Sequence, residues 1–259
     1  MSDEEHPSRT FDYARPLSNE EIAKGHHRRW VGGKWDVMGG LQRDFLVAQG
    51  LKPDHRLLDV GCGALRAGIH FVQYLEPGHY YGIDINETVL DAGYERELPA
   101  RLRNRLPRDH LRATDRFACD FGVTFDYAIA QSVFTHVSLN YVRLCLYRVA
   151  QQLGPDGRFF ATFFEARPGH PLDQPFRRGT RWTEQNPFFY YRRDLKWAAR
   201  WAGLEMHYIG RWGHPAGQRM VEFRHARPEA KDVPAPGAPG LSLRVKRRVK
   251  RTFRGRRMP

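Results

Sequence analysis

The sequence predicts an α/β fold: a doubly wound parallel sheet with helices on both faces, ending in an antiparallel hairpin. Three observations predict it. From about residue 56, short β-rich runs alternate with longer helical ones, the pattern of a parallel sheet. A strand running into Gly61-Cys62-Gly63 is followed at once by a helical run, a turn suited to close approach of a ligand to the backbone. The last two strands have no helix between them, so they pair antiparallel.

The elements follow in order. RLLDVG (56–61) is a buried strand, and the helix after it carries Leu65, Ile69, Val72 and Leu75 in one stripe. YYGIDI (80–85) is the second strand, followed by a helix from Glu87 to Leu98 and a weak strand at RFACD (116–120). FDYAIA (125–130) is a strand and Ser138 to Leu153 a helix; GPDG (154–157) is a turn before the strand RFFATFF (158–164). A helix over 192–203 stops at Gly203, and LEMHYIG (204–210) and QRMVEFR (218–224) form the closing hairpin. No internal repeat is present.

The length of 259 residues suits one decorated α/β domain, and 41% hydrophobic residues with 6 Trp and 16 Phe exclude wholesale disorder. No apolar run reaches the ~18 residues of a membrane span. The polar, acidic start MSDEEHPSRT does not read as a secretory leader. Cys62, Cys119 and Cys145 form no CxxC pair, so neither a zinc knuckle nor a disulfide framework is expected. A reduced, cytoplasmic location follows as an expectation. Of the +13 formal charge, nine Lys or Arg lie in residues 241–259, which contain no acid, leaving +4 for residues 1–240. The expected organisation is a cover segment over 1–40, a domain over 41–225, a Pro/Ala linker over 226–240 and a basic tail over 241–259.

Gly61 and Gly63 place a ligand at the carboxyl ends of the strands. Asp84 closes the second strand, where a carboxylate can accept hydrogen bonds from two ribose hydroxyls. Such a ligand is a dinucleotide or S-adenosylmethionine. The dinucleotide signature needs a third glycine, and Arg66 stands there. Asp59 also disfavours a pyrophosphate but suits a sulfonium and an ammonium.

Leu57-Leu58-Asp59-Val60-Gly61-Cys62-Gly63 with Gly82-Ile83-Asp84 resembles the class I S-adenosylmethionine-dependent methyltransferases, over about residues 40–225. The resemblance implies a Rossmann-like, seven-stranded sheet with a C-terminal antiparallel hairpin, methyltransferase activity and S-adenosylmethionine as cofactor. It further implies that Asp59, Gly61, Cys62 and Gly63 line the methionine and ribose, that Asp84 binds the ribose and that Ile85 packs on adenine. Asp120 and Phe121 match the family's adenine-edge position, and Gln131 and Ser132 the segment beneath the cofactor. Leu65-Arg66 departs from the small residues common there; Arg66 either meets the cofactor carboxylate or faces solvent.

Methyl transfer to oxygen needs alignment and usually a base. His136 follows the fourth strand and is the first candidate base; the alternative is that it orients its loop. Glu165 is the second. The insert from Glu165 to Tyr191 carries Trp182, Phe188, Phe189, Tyr190 and Tyr191 for substrate contact or for packing, and His214 lies in the last hairpin loop. His26 and His27 are adjacent and point apart on a helix, so no metal is expected.

In the tail, Leu241, Val245, Val249 and Phe253 recur every four residues among basic ones, the pattern of a helix on an anionic membrane surface. The leading expectation is O-methylation of a small molecule or glycan by an enzyme held peripherally at the inner membrane face. The alternatives are an RNA methyltransferase gripping phosphates with the tail, or a non-catalytic cofactor-binding module. The oligomeric state is not readable.

Overall fold

The computed structural model describes residues 12–166 and 187–226. Three helices come first: α1 (Asn19–Ala23), α2 (His26–Trp30) and α3 (Trp35–Ala48). The last of these spans the boundary expected at residue 40. Trp182, the linker and the tail lie outside the described residues.

Strand β1 (Leu57–Val60) is buried at every position, as the middle of a two-sided sheet requires. It pairs parallel with β2 (Tyr80–Asp84) on one side and β4 (Phe125–Ala130) on the other. Beyond them lie β3 (Leu111–Ala113) and β5 (Leu153–Glu165). The last two strands, β7 (Leu204–Gly210) and β8 (Arg219–His225), are antiparallel, and β8 inserts between β5 and β7. The order is therefore β3-β2-β1-β4-β5-β8-β7, the expected doubly wound sheet with its hairpin. A two-residue strand, β6 (Phe189–Tyr190), adds to the end of β5.

Two apolar layers cover the sheet. On one face α3, α4 (Gly68–Tyr74) and the turns around Leu98, Leu102 and Leu106 bury Leu46, Phe71 and Val72. On the other, α6 (Leu139–Ala150) buries Val142, Cys145, Leu146 and Val149 at helical spacing, and α7 (Arg192–Trp201) buries Leu195, Ala198 and Ala199. Gly203, at φ +72°, ends the last turn of α7.

Three local expectations are corrected. The third strand is Leu111–Ala113, where Leu111 registers with Gly82, and not residues 116–120. There the Thr114 hydroxyl accepts the Arg116 and Ala118 amides, turning the chain out of the sheet. The segment 154–157 is a bulge inside β5, between the pairs Phe125–Leu153 and Tyr127–Arg158. The helix expected from Glu87 to Leu98 is α5 (Glu87–Ala92) continued by a π-helical turn, Gly93–Glu97. Gly93 is required because a Cβ there would lie 2.6 Å from the Ala64 backbone.

Candidate active site

The glycine turn is built by backbone geometry. The Gly61 and Cys62 amides both donate to the Ile83 carbonyl, at 2.7 and 3.1 Å. Gly61 and Gly63 sit at φ +73° and +55°, and a Cβ on them would lie 2.5 Å from Val133 and 2.3 Å from Val31. Leu65, Phe117 and Ser132 hold positive φ without being glycine. Such strain gathers around sites that the rest of the fold over-determines.

These segments enclose a cavity of about 660 Å³ at the carboxyl ends of β1, β2 and β4. Its wall includes Asp59, Gly61, Cys62, Gly63, Asp84, Ile85, Gln131, Ser132 and His136. Nine of the twelve residues singled out from the sequence thus line the cavity, while Asp120, Phe121 and Glu165 stand elsewhere.

Asp84 is fixed from two sides: one oxygen accepts the Gly63 amide at 2.9 Å and the other the Asn86 amide at 3.0 Å. Burial raises its pKa, against those donors. Asp59 is 3% exposed and accepts the Tyr80 hydroxyl at 2.9 Å. Burial, opposed by that hydrogen bond, lifts its pKa to about 7. The Cys62 thiol packs against Gly82, and burial pushes its pKa well up. Cys62 therefore stays a neutral thiol.

Arg66 does not face solvent. Its guanidinium donates to the Gly33 carbonyl at 2.6 Å and to Gln131 Oε1 at 2.9 Å. Burial lowers its pKa to about 10, so it remains a cation on the cavity wall at neutral pH. Gln131 Nε2 in turn donates to Ser132 Oγ at 2.6 Å and lies 3.1 Å from His214 Nε2. Burial and the charge of Arg66 lower the His214 pKa to about 4, which keeps that ring neutral.

His136 lies on the wall with Tyr13, whose hydroxyl is 3.3 Å from Nε2 and whose ring centroid is 4.6 Å away. Burial raises the Tyr13 pKa to about 12. The segment carrying Tyr13 is pinned by Asn86, whose amide donates to the carbonyls of Tyr13 and Arg15 at 3.0 and 2.7 Å.

Glu165 accepts Arg192 Nε at 2.5 Å and the Tyr208 hydroxyl at 2.7 Å. Those donors outweigh burial and lower its pKa, so it is a poor proton acceptor. Asp120 is exposed, with Oδ1 accepting the Gly122 amide. Phe121 packs on Tyr81 and Phe125. Thr114, Asp115 and Phe117 occupy the cavity wall after β3 instead, because β3 ends earlier than its sequence suggests. Sequence reasoning also missed Tyr13, Gln42 and Tyr141 on the wall. For Tyr13 and Tyr141 the signal was membership of the segment expected to cover the cofactor and of the helix after the fourth strand; Gln42 carried none. Of the aromatic insert, Phe188 lines the cavity, while Tyr190 donates to the Val137 carbonyl. Among the described residues no cluster of three metal-binding side chains occurs.

The site has the parts that a nucleoside joined to an amino acid needs: a glycine turn free of side chains, a carboxylate at a strand end and a buried cation beside a buried acid. Residues 58–159 match a family model described as a methyltransferase domain. The fold is similar to that of magnesium protoporphyrin IX methyltransferase ChlM from Synechocystis PCC 6803 with bound SAM: TM-score 0.51, 18% identity, covering 83% of this chain and 88% of that one. It is also similar to the CcbJ methyltransferase from Streptomyces caelestis: TM-score 0.57, 15% identity, 73% of this chain and 90% of that one. For the glycopeptide N-methyltransferase MtfA the values are 0.54, 16%, 73% and 90%.

Proposed function

We propose that this chain, whose residues 58–159 match a methyltransferase domain, is a class I S-adenosylmethionine-dependent methyltransferase that methylates an oxygen of a small molecule or glycan. The observation that carries the oxygen reading is the His136–Tyr13 pair on the cavity wall. The similar folds include a magnesium protoporphyrin IX methyltransferase and a glycopeptide N-methyltransferase, which supports a small-molecule or glycan acceptor.

S-adenosylmethionine, when bound, supplies an electrophilic methyl group on a good leaving group. Asp84 would hold the ribose hydroxyls, Arg66 the carboxylate, and Asp59 would lie near the cationic end. Within the pair, His136 Nδ1 is buried, so Nε2 is the nitrogen that reaches the cavity. The Tyr13 phenol, whose pKa burial raises to about 12, stays protonated at neutral pH and lies 3.3 Å from Nε2, where it can donate to that nitrogen's lone pair. An acceptor hydroxyl that takes the phenol's place gives its proton to Nε2. Tyr13 and Trp30 both line the cavity.

Replacing His136 with Gln tests this reading. The expected result is a fall in kcat of about 10²–10⁴ with unchanged affinity for S-adenosylmethionine by calorimetry. Full turnover in H136Q would remove the base and with it the preference for oxygen. Methyl transfer from labelled cofactor into separated small-molecule, glycan, lipid and RNA fractions identifies the acceptor class.

The basic residues over 241–259 further support a peripheral place at the cytoplasmic face of a membrane. Among the described residues no helix is long and apolar enough to cross one.

A further inference from the structure

The outer face of α6 and α7 carries an aromatic and basic surface that the cavity does not use. Trp197 and Trp201, one turn apart on α7, are 45% and 46% exposed, and Tyr147 on α6 is 45% exposed. The two indoles meet edge to face at 6.2 Å between centroids. The Arg143 guanidinium, from α6, lies 4.8 Å from the Trp197 centroid and 5.6 Å from that of Trp201. Arg143 thus joins the two helices into one patch with both indoles held in place.

The charged residues of the two helices that carry this patch are almost wholly basic. Helix α6 contains no acid, and the single acid of α7, Asp194, accepts the Tyr191 amide at its own helix start. Arg143, Lys196 and Arg200 make no ion pair among the described residues. Half-exposed tryptophans flanked by unpaired cations suit the boundary between lipid headgroups and acyl chains, where the rings bury an apolar body and the cations meet phosphate.

We propose that this α6–α7 face docks on an anionic lipid surface. The inference goes beyond the reading of the tail, because it is carried by the folded body, and it does not depend on which acceptor is methylated. Docking there also brings the cavity close to the lipid. Tyr141, on the first turn of α6, lines the cavity, and six residues of helix put it about 9 Å along the axis from Tyr147.

The test uses the full chain with vesicles of phosphatidylcholine alone or mixed with phosphatidylglycerol, containing brominated acyl chains that quench tryptophan. Residues 227–259 contain no tryptophan, so quenching reports the body and not the tail. The expected result is quenching by the anionic vesicles only. W197F/W201F should lose most of that quenching while still sedimenting with the vesicles. K196E/R200E should reduce the bound fraction about tenfold or more. Sedimentation without quenching means that the tail alone tethers the chain and overturns the proposal. So does quenching that W197F/W201F leaves unchanged. Loss of RNA retention or of self-association in K196E/R200E, with vesicle binding unaltered, assigns the face to another partner and also overturns it.

Discussion

Burial holds the Asp59 carboxyl at a pKa of about 7 against an ordinary 3.8, and the sign of the consequence is fixed. Between those values the folded chain binds a proton that the unfolded chain does not, so the stability contributed by this group is present at low pH and lost as pH rises through 7. Asp59→Asn removes the titration. Denaturant unfolding at pH 5 and pH 8 should therefore show the variant gaining on the wild type at pH 8, on the order of 2 kcal/mol more than at pH 5. An equal difference at both pH values would mean that Asp59 titrates normally. Asp84 offers a second check. Asp84→Ala should weaken S-adenosylmethionine binding by about ten- to hundredfold in calorimetry, the worth of hydrogen bonds to a charged group. The identities of both acids were legible in the sequence because motif and strand ends coincide there. The unusual pKa of Asp59 was not, since it depends on how completely neighbouring elements exclude water.

At the scale of elements, the N-terminal segment is held by the start of α5. Asn86 caps that helix through Oδ1, which accepts the Val89 amide at 3.3 Å, while its amide nitrogen binds the Tyr13 and Arg15 carbonyls. Asn86→Asp keeps the cap acceptor and removes the two donated bonds. The helix should persist by circular dichroism, while KM for S-adenosylmethionine rises several-fold, about the worth of one or two hydrogen bonds. Unchanged KM would show that these two bonds do not hold the segment in place. The π-helical turn after α5 serves the same attachment: Glu97 accepts from His27 at 2.5 Å and from Arg28 at 2.7 Å. Neither contact was readable in advance, because each joins residues about seventy positions apart.

For the whole molecule, chain order and sheet order diverge. The last described strand, β8, lies between β5 and β7, so the sheet is complete only when residues near the C-terminal end of the domain have joined it. Phe223, at 0% exposure, packs against Phe134 and Phe159 at centroid distances of 6.4 and 5.7 Å. Phe223→Ala should cost about 3–5 kcal/mol, read as a lowered denaturant midpoint with an unchanged slope. A loss under about 1 kcal/mol would mean that the cavity left behind collapses.

The sequence by itself determined the alternation of strands and helices, the antiparallel ending, the glycine turn and Asp84. Each of these is a local pattern, set by side-chain period or by the freedom of a glycine backbone. Only the tertiary structure decided that Arg66 is a buried cation, that Glu165 is engaged by Arg192 and Tyr208, that Tyr13 meets His136 and that Thr114 turns the chain away from the expected strand. The physical reason is that burial, ion pairing and pKa depend on what distant segments bring to the same place, and the spacing of residues along a chain does not encode that.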